Sequence, residues 1–301
     1  MLNGIIIIDK EPGFTSHDVV AKMRGICGQR KIGHTGTLDP AATGVLPVCL
    51  GSATKLCDML ADRDKEYVAE LLLGVETDTQ DTTGRVLRES KVSVVPEQIR
   101  ECAASFVGEL MQVPPMYSAL KVNGKKLYEL AREGREIERR PRPVTVHELE
   151  ILGLQLPVVR MRVVCSKGTY IRTLCADIGE KLGCGGTMQS LRRTRVGSFC
   201  ISDALTLGEL QGLKDEQRLG EALRPVDSVF AGCPALHVHS EHTGLLDNGN
   251  AFLPGQTLEN AVYEPDRQVR AYRQDGSFAG IYAYDPERRR YKPVKMFLEK
   301  E

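Results

Sequence analysis

GHTGTLDPAATGVLP, residues 33–47, contains a single acidic side chain, Asp39, among three glycines, three threonines, two alanines and two prolines. Gly33 and Gly36 open backbone angles closed to other residues, and Pro40 keeps Asp39 out of helical geometry. The stretch therefore predicts a fixed loop that leaves one charged group within reach of a bulky substrate. The competing view is a Gly/Pro-rich turn in which Asp39 only caps its own backbone. A phosphate cradle is a poor fit, because the Lys-Ser/Thr ending of a P-loop is missing.

On either side of this loop the hydrophobic pattern changes period. Ile5–Asp9 predicts a short buried strand, and Thr15 with Asp18 forms a capping box for a helix carrying Val19, Val20 and Met23. A helix is expected across Lys55–Leu60. Tyr67, Ala69, Leu71 and Leu73 alternate with Val68, Glu70 and Leu72, which predicts a strand with one well-buried face. Pro96 suits the start of a helix running toward Phe106. Residues 114–143 are too charged for a core, although Leu127, Leu130 and Ala131 could line a short helix, so they read as a protruding insertion. Strand patterning returns over Val144–Leu152 and Val158–Cys165. Ile171, Leu174, Cys175, Ile178 and Leu182 then repeat at helical spacing, with Tyr170 and Arg172 at that helix's N-terminal end.

The texture changes near residues 231–234. Val269–Arg273, Phe278–Tyr284 and Tyr291–Phe297 predict three short strands, and Asp275-Gly276 between the first two is a strong hairpin signal. The fold class that follows is α+β, a mixed α/β sheet domain over 1–230 with a small β-rich module over 231–301.

At 301 residues and 42% apolar content, the chain can bury a full core. It has no 18-residue apolar run to span a membrane. Nine cysteines without a C-x-x-C pair suit free thiols in a reducing, cytoplasmic setting. Net charge is zero but unevenly laid out. Residues 121–142 carry eight Lys or Arg against four Glu, and 160–195 carry eight against two acids. Residues 62–109 compensate with eleven acids against six bases. Such segregation can present a basic face to phosphates, although solvated helix faces would give the same counts. His237, His239 and His242 lack further ligands, so exposed loop residues are expected there rather than a metal site.

Five segments, in order, carry a resemblance to a known family: IDKEPGFTSHDVV at 8–20, the 33–47 loop, KEYVAELLLG at 65–74, SKGTYIRTL at 166–174 and LRRTRVGSF at 191–199. Together they resemble the bacterial tRNA pseudouridine synthase B family, which isomerises the uridine at tRNA position 55. In place of the family's usual Asp-Lys-Pro opening, Glu11 here separates Lys10 from Pro12.

The resemblance implies a pseudouridine synthase catalytic domain acting on the T-loop of tRNA by flipping out the base, with no cofactor and no metal. It implies Asp39 as nucleophile and Arg172 as its charge partner. Tyr67 would stack on the flipped uracil, and Tyr170 and Leu191 would wall the pocket. His34 would enter the vacated RNA loop, while Lys10 and Pro12 would support the active-site loop. The 114–143 insertion would be a thumb that clamps the T-arm through Lys125, Lys126, Arg139 and Arg140. Its presence implies a stand-alone monomer needing neither guide RNA nor an obligate protein partner. Read without the resemblance, both tyrosines suit packing, His34 a plain turn, and Arg172 the surface. An RNA-binding or RNA-folding protein with a structural Asp39 is the principal rival. A nucleotide-dependent enzyme using the 33–37 loop is a weaker one.

Overall fold

The computed structural model describes residues 1–118, 120–122 and 124–298, with Lys121 described by its backbone alone. Ala119 and Asn123 of the insertion therefore lie outside the described residues. Strand β1 (Gly4–Lys10) is buried along nearly its whole length, as four consecutive isoleucines require. Helix α1 (Ser16–Cys27) opens with the expected box: Thr15 Oγ1 accepts from the Asp18 amide, and Asp18 Oδ2 accepts from the Thr15 amide. Such a cap contributes about 1 kcal/mol.

Strands β2 (Ile32–His34) and β3 (Thr43–Leu50) flank the Asp39 loop. A 3-10 turn over Gly51–Leu56 and the short helix α2 (Cys57–Ala61) stand where one helix was expected. Strand β4 (Lys65–Leu73) alternates buried and half-buried side chains without a break, as its sequence dictates. A small hairpin, β5 (Val75–Thr77) and β6 (Val86–Glu89), leads to α3 (Pro96–Ala104) with Pro96 in its first turn, and then to β7 (Gly108–Gln112).

The insertion holds a two-stranded ribbon, β8 (Lys121–Val122) with β9 (Lys125–Lys126), and helix α4 (Leu127–Arg132). It joins two neighbouring strands, since β10 (Arg142–Gln155) pairs with β7 so that Arg142 faces Gln112. Strand β11 (Val158–Cys165), helix α5 (Ile171–Lys181), strand β12 (Gly186–Val196), strand β13 (Phe199–Cys200) and helix α6 (Leu207–Asp215) complete the large domain.

The central sheet runs β1-β3-β12-β4-β11-β10-β7, with β2 on β3 and β13 on β12. On one side α1 and α6 cover Ile6, Ile8, Leu46 and Val48. On the same face farther along the sheet, as the pairings of Gly44 with Arg193 and of Arg193 with Tyr67 require, Ile171, Leu174, Cys175 and Ile178 of α5 pack on Ala69, Leu71 and Met161. Each such buried aliphatic side chain contributes roughly 1.5–3 kcal/mol.

The C-terminal module has four strands where three were expected: β14 (Ala235–Val238), β15 (Gln268–Arg273), β16 (Phe278–Asp285) and β17 (Arg290–Met296), with helix α7 (Thr243–Asp247) after the first. The extra strand β14 pairs parallel to β15. Phe230, Ile281 and Phe297 join Ile5, Val45 and Cys49 in one apolar cluster, so the module is packed on the edge of the central sheet.

The largest departure from the sequence reading is β3. The expected loop reached Pro47, yet from Thr43 onward the chain is a buried strand pairing along β1. Gly44 explains the crowding. Its φ is +103°, and a Cβ there would stand 2.1 Å from the carbonyl oxygen of Arg193 in β12. Gly44→Ala should therefore combine backbone strain with overpacking and lower the unfolding free energy by at least about 2 kcal/mol in a denaturant titration. A change within about 0.5 kcal/mol would show that the two strands need no such close approach.

Candidate active site

Asp39 sits on the loop between β2 and β3, which is fastened from both sides. The Leu38 amide donates to Ser16 Oγ at 3.0 Å, and the Pro40 carbonyl accepts from Lys10 Nζ at 3.1 Å and from the Gly13 amide at 2.9 Å. Its side chain is 41% exposed and meets Arg172, whose side chain is 5% exposed: Nε lies 3.0 Å from Asp39 Oδ2. Among the described residues nothing else bonds the carboxylate, which leaves Oδ1 without a hydrogen-bond partner.

Arg172 spends its remaining donors on two other segments. Nη1 donates to the Thr79 carbonyl at 3.0 Å and lies 3.6 Å from Asp81 Oδ2, while Nη2 donates to the Tyr117 carbonyl at 2.9 Å. Asp81, 15% exposed, is held in turn: its Oδ1 accepts from Thr79 Oγ1, the Thr83 amide and Thr83 Oγ1. Burial pushes the Asp39 carboxyl above its ordinary value. Arg172 pulls it back down, Asp81 adds to the rise, and Lys10 opposes it.

Tyr67 and Leu191 stand on the neighbouring strands β4 and β12, and Tyr67 feels the Asp39 charge. Tyr67 is buried among Leu38, Ala42 and Ala69, and half-buried Leu191 packs on the same cluster opposite Ala69. Tyr170 is the residue before α5. Its amide donates to Gln112 Oε1 at 2.8 Å and its carbonyl accepts from Gln112 Nε2 at 3.0 Å. It lines a cavity of about 500 Å³ together with Gln112, Pro114, Arg142 and Lys167, at the root of the insertion.

Lys10 is fully buried and bonds three carbonyls, those of Glu11, Phe14 and Pro40, which makes it a brace for the loop. Burial lowers its pKa to about 8. Pro12 stands exposed in the adjoining turn. His34 ends β2, takes the Gly36 amide on Nδ1 at 3.3 Å, and meets His17 edge-on at 5.1 Å. Burial, and then His17, lower its pKa, so the ring is neutral at neutral pH.

In the insertion, Lys125 is exposed and 3.5 Å from Glu133, and Lys126 sits over the Tyr128 ring. Arg140 is exposed. Arg139 departs from the expected solvent-facing role. At 22% exposure it donates to the Pro114 carbonyl and to Glu136, tying the two feet of the insertion together. His237 is likewise no exposed loop residue: it lies in β14, bonded to Glu259 at 2.6 Å and stacked on Tyr272. No group of three or more His, Cys, Asp or Glu among the described residues is arranged to hold a metal.

Asp81 was missed by the sequence reading, because TDTQDTTG looks like an ordinary polar turn. The available signal was its cluster of four threonines within reach of one carboxylate.

A family model described as TruB family pseudouridylate synthase, N-terminal domain, matches residues 24–171, and one described as tRNA pseudouridylate synthase B C-terminal domain matches residues 172–231. The two meet inside α5, although the central sheet continues through β12. A protein of Lachnoclostridium phytofermentans named tRNA pseudouridine synthase B is 50% identical, over 99% of this chain and all of its own. One of the same name from Alkaliphilus oremlandii is 45% identical over the whole of both chains. Among solved structures, the Cbf5-Nop10-Gar1 complex contains a chain 28% identical with a TM-score of 0.73, covering 98% of this chain and 85% of its own.

The ionic balance around Asp39 can be read directly by carbon-13 NMR of its labelled carboxyl. The group should titrate above the ordinary 3.8. Removing the cation in Arg172→Met should move it further up, and removing the neighbouring acid in Asp81→Asn should move it down. An unshifted titration in both variants would break the electrostatic link between the three residues.

Proposed function

Because the chain belongs to the TruB family of pseudouridylate synthases, we propose that it isomerises uridine to pseudouridine in tRNA, at position 55 of the T-loop. The observation that carries the reading is one carboxylate, Asp39, partly open to solvent, held by the buried guanidinium of Arg172 and close to the buried Tyr67. The reaction breaks the N1–C1′ bond, turns the uracil and rejoins it through C5. Over the whole reaction one proton leaves C5 and one arrives at N1.

Asp39 is the nucleophile in this reading. An anchored carboxylate can hold a covalent intermediate while the base turns, splitting one hard step into two easier ones. Arg172 keeps Asp39 ionised against burial and fixes its direction through Oδ2, leaving Oδ1 to react. A base stacked inside an RNA loop reaches such a site only by being flipped out, and Tyr67 offers it a ring to rest on. His34, uncharged and at the rim of the same loop, suits stacking in the place the base has left. The isomerisation is redox-neutral and transfers no phosphoryl group, so the reading needs no cofactor.

The insertion between β7 and β10 stands beside the cavity lined by Tyr170, Arg142 and Lys167, which suits a clamp on the T-arm. With a clamp of its own, the chain would act on tRNA as a monomer without guide RNA or a protein partner. No helix among the described residues is long and apolar enough to cross a membrane, and the reading places the enzyme with its substrate in the cytoplasm.

Asp39→Asn keeps the shape and removes the charge. Pseudouridine in a T-arm transcript, followed by tritium release from 5-labelled uridine, should fall below detection while tRNA affinity stays within a few-fold. Clear single-turnover activity in that variant would remove the nucleophile.

The clamp has its own test. Lys125, Lys126 and Arg140 changed together to Ala should weaken tRNA binding and reduce the log affinity–log salt slope by about 2, with the single-turnover rate recovering at saturating tRNA. Arg139 is left in place because it braces the fold. An unchanged slope would mean the basic run never meets phosphate.

A further inference from the structure

Arg193 is the largest fully buried side chain among the described residues, at 2% exposure, and no carboxylate among them forms an ion pair with it. The topology explains why it is there. The edge of β3 facing away from β1 is covered by β12 at Thr43 and Gly44 and by β2 from Val48 to Leu50, which leaves Val45–Pro47 uncovered by strand. Arg193 fills part of that gap, its Nε donating to the Val45 carbonyl at 2.7 Å. That bond needs one donor. The rest of the guanidinium lies behind the catalytic loop, with Nη1 4.0 Å from where a Gly36 Cβ would be and Nη2 buried without an aligned acceptor.

The polar group beside this spare charge is the Tyr67 hydroxyl. Arg193 and Tyr67 are direct partners across β12 and β4, on one face of the sheet, and each favours the charged form of the other. The other charged groups nearby deepen the puzzle. Lys10 from β1 and Lys65 from β4 are buried too, each lowered to about 8, and each feels Arg193 as a like charge. His34 from β2 feels it likewise. Burial above all pushes the Tyr67 hydroxyl above its ordinary value, the Cys165 thiol of β11 and the Asp39 carboxylate add to the rise, and Arg193 opposes it. An unpaired buried guanidinium is costly in general, and a hydrophobic side chain of similar volume would fill a gap at less cost. The charge has a use if an anion forms next to it.

We infer that Arg193 is a positioning residue for proton transfer: its uncompensated guanidinium holds the Tyr67 hydroxyl and favours its anionic form when the C5 proton of the uracil has to be removed. The inference rests on the isomerase reading above. Once C1′–C5 has formed, C5 still carries its hydrogen and the ring holds a C6=N1 double bond. The phenolate oxygen takes the C5 proton, the C5–H electron pair becomes the C5=C6 bond, and the former C6=N1 pair takes a proton at N1 from the phenol. Tyr67 ends as it began, and no outside reactant is consumed. A guanidinium beside the phenolate makes a neutral pair in a site too dry to solvate either ion alone.

The test uses Arg193→Met, which keeps the volume, and Arg193→Lys, which keeps the charge without the planar fork. The ultraviolet tyrosinate signal of Tyr67, isolated by subtracting Tyr67→Phe, should appear at lower pH in the parent protein than in Arg193→Met, with Arg193→Lys between them. Single-turnover pseudouridine formation should fall at least about tenfold in Arg193→Met, with the ascending limb of its pH profile moved to higher pH, at unchanged tRNA affinity. In a Tyr67→Phe background the same change should cost nothing further. If Arg193→Met fails to fold, the Arg193→Lys titration decides. An identical Tyr67 titration and pH profile in the folded variants would overturn the inference. A parent protein that makes no pseudouridine would instead overturn the isomerase reading, and the tyrosinate shift, measured without RNA, would still settle whether the two residues are coupled.

Discussion

The guanidinium of Arg172 is where three separate segments meet. One donor goes to the catalytic loop at Asp39, one to the turn at Thr79 and Asp81, and one to the Tyr117 carbonyl at the start of the insertion. None of the three segments is regular at that point, so nothing in a helix or strand fixes their mutual distance. A planar, always-charged fork does so, because its donors point in set directions. The two carboxylates differ in what else they bind: Asp81 is saturated by threonines, whereas Asp39 has one oxygen unspent. That difference suits Asp81 to anchoring and, in the proposed reaction, leaves Asp39 free to react.

Beneath the loop the protein buries three cations, Lys10, Lys65 and Arg193, with backbone carbonyls rather than carboxylates as their bonded acceptors. Carbonyl oxygens hold a cation in place without neutralising it. Their charge is not spent in ion pairs, in contrast with Arg162 on the outer face of the sheet, which is ringed by Glu66, Glu148 and Glu150. The same residue type is used in two ways: as a surface clasp between strands and as a source of potential.

Much of the architecture could be read from sequence where one physical signal acted alone. The strict alternation of β4, the capping box of α1 and the helical repeat of α5 each predict a single structure and were found as such. β3 was hidden because TGVLPVCL carries a glycine and a proline, both of which argue against a strand. They are tolerated because the strand's second edge is interrupted there: Gly44 lets β12 come close, and Pro47 needs no ladder partner in the gap. The loop's single carboxylate was legible and Asp81 was not, since its meaning depends on Arg172, which is 91 residues away in sequence.

β12 was hidden by charge. LRRTR reads as a surface run, and Arg192 is indeed exposed and paired with Asp9. One residue on, the pleat turns the next arginine inward, so two chemically identical neighbours meet opposite environments. Composition cannot express that, because a buried unpaired arginine is the last assignment average burial would make. What could have exposed it is register: if β4 is a strand with Tyr67 facing the site, the strand beside it must place one residue of LRRTR next to that tyrosine. The lining of the pocket is set by that pairing, and a one-residue slip of β12 would exchange Arg193 for a side chain that belongs in water.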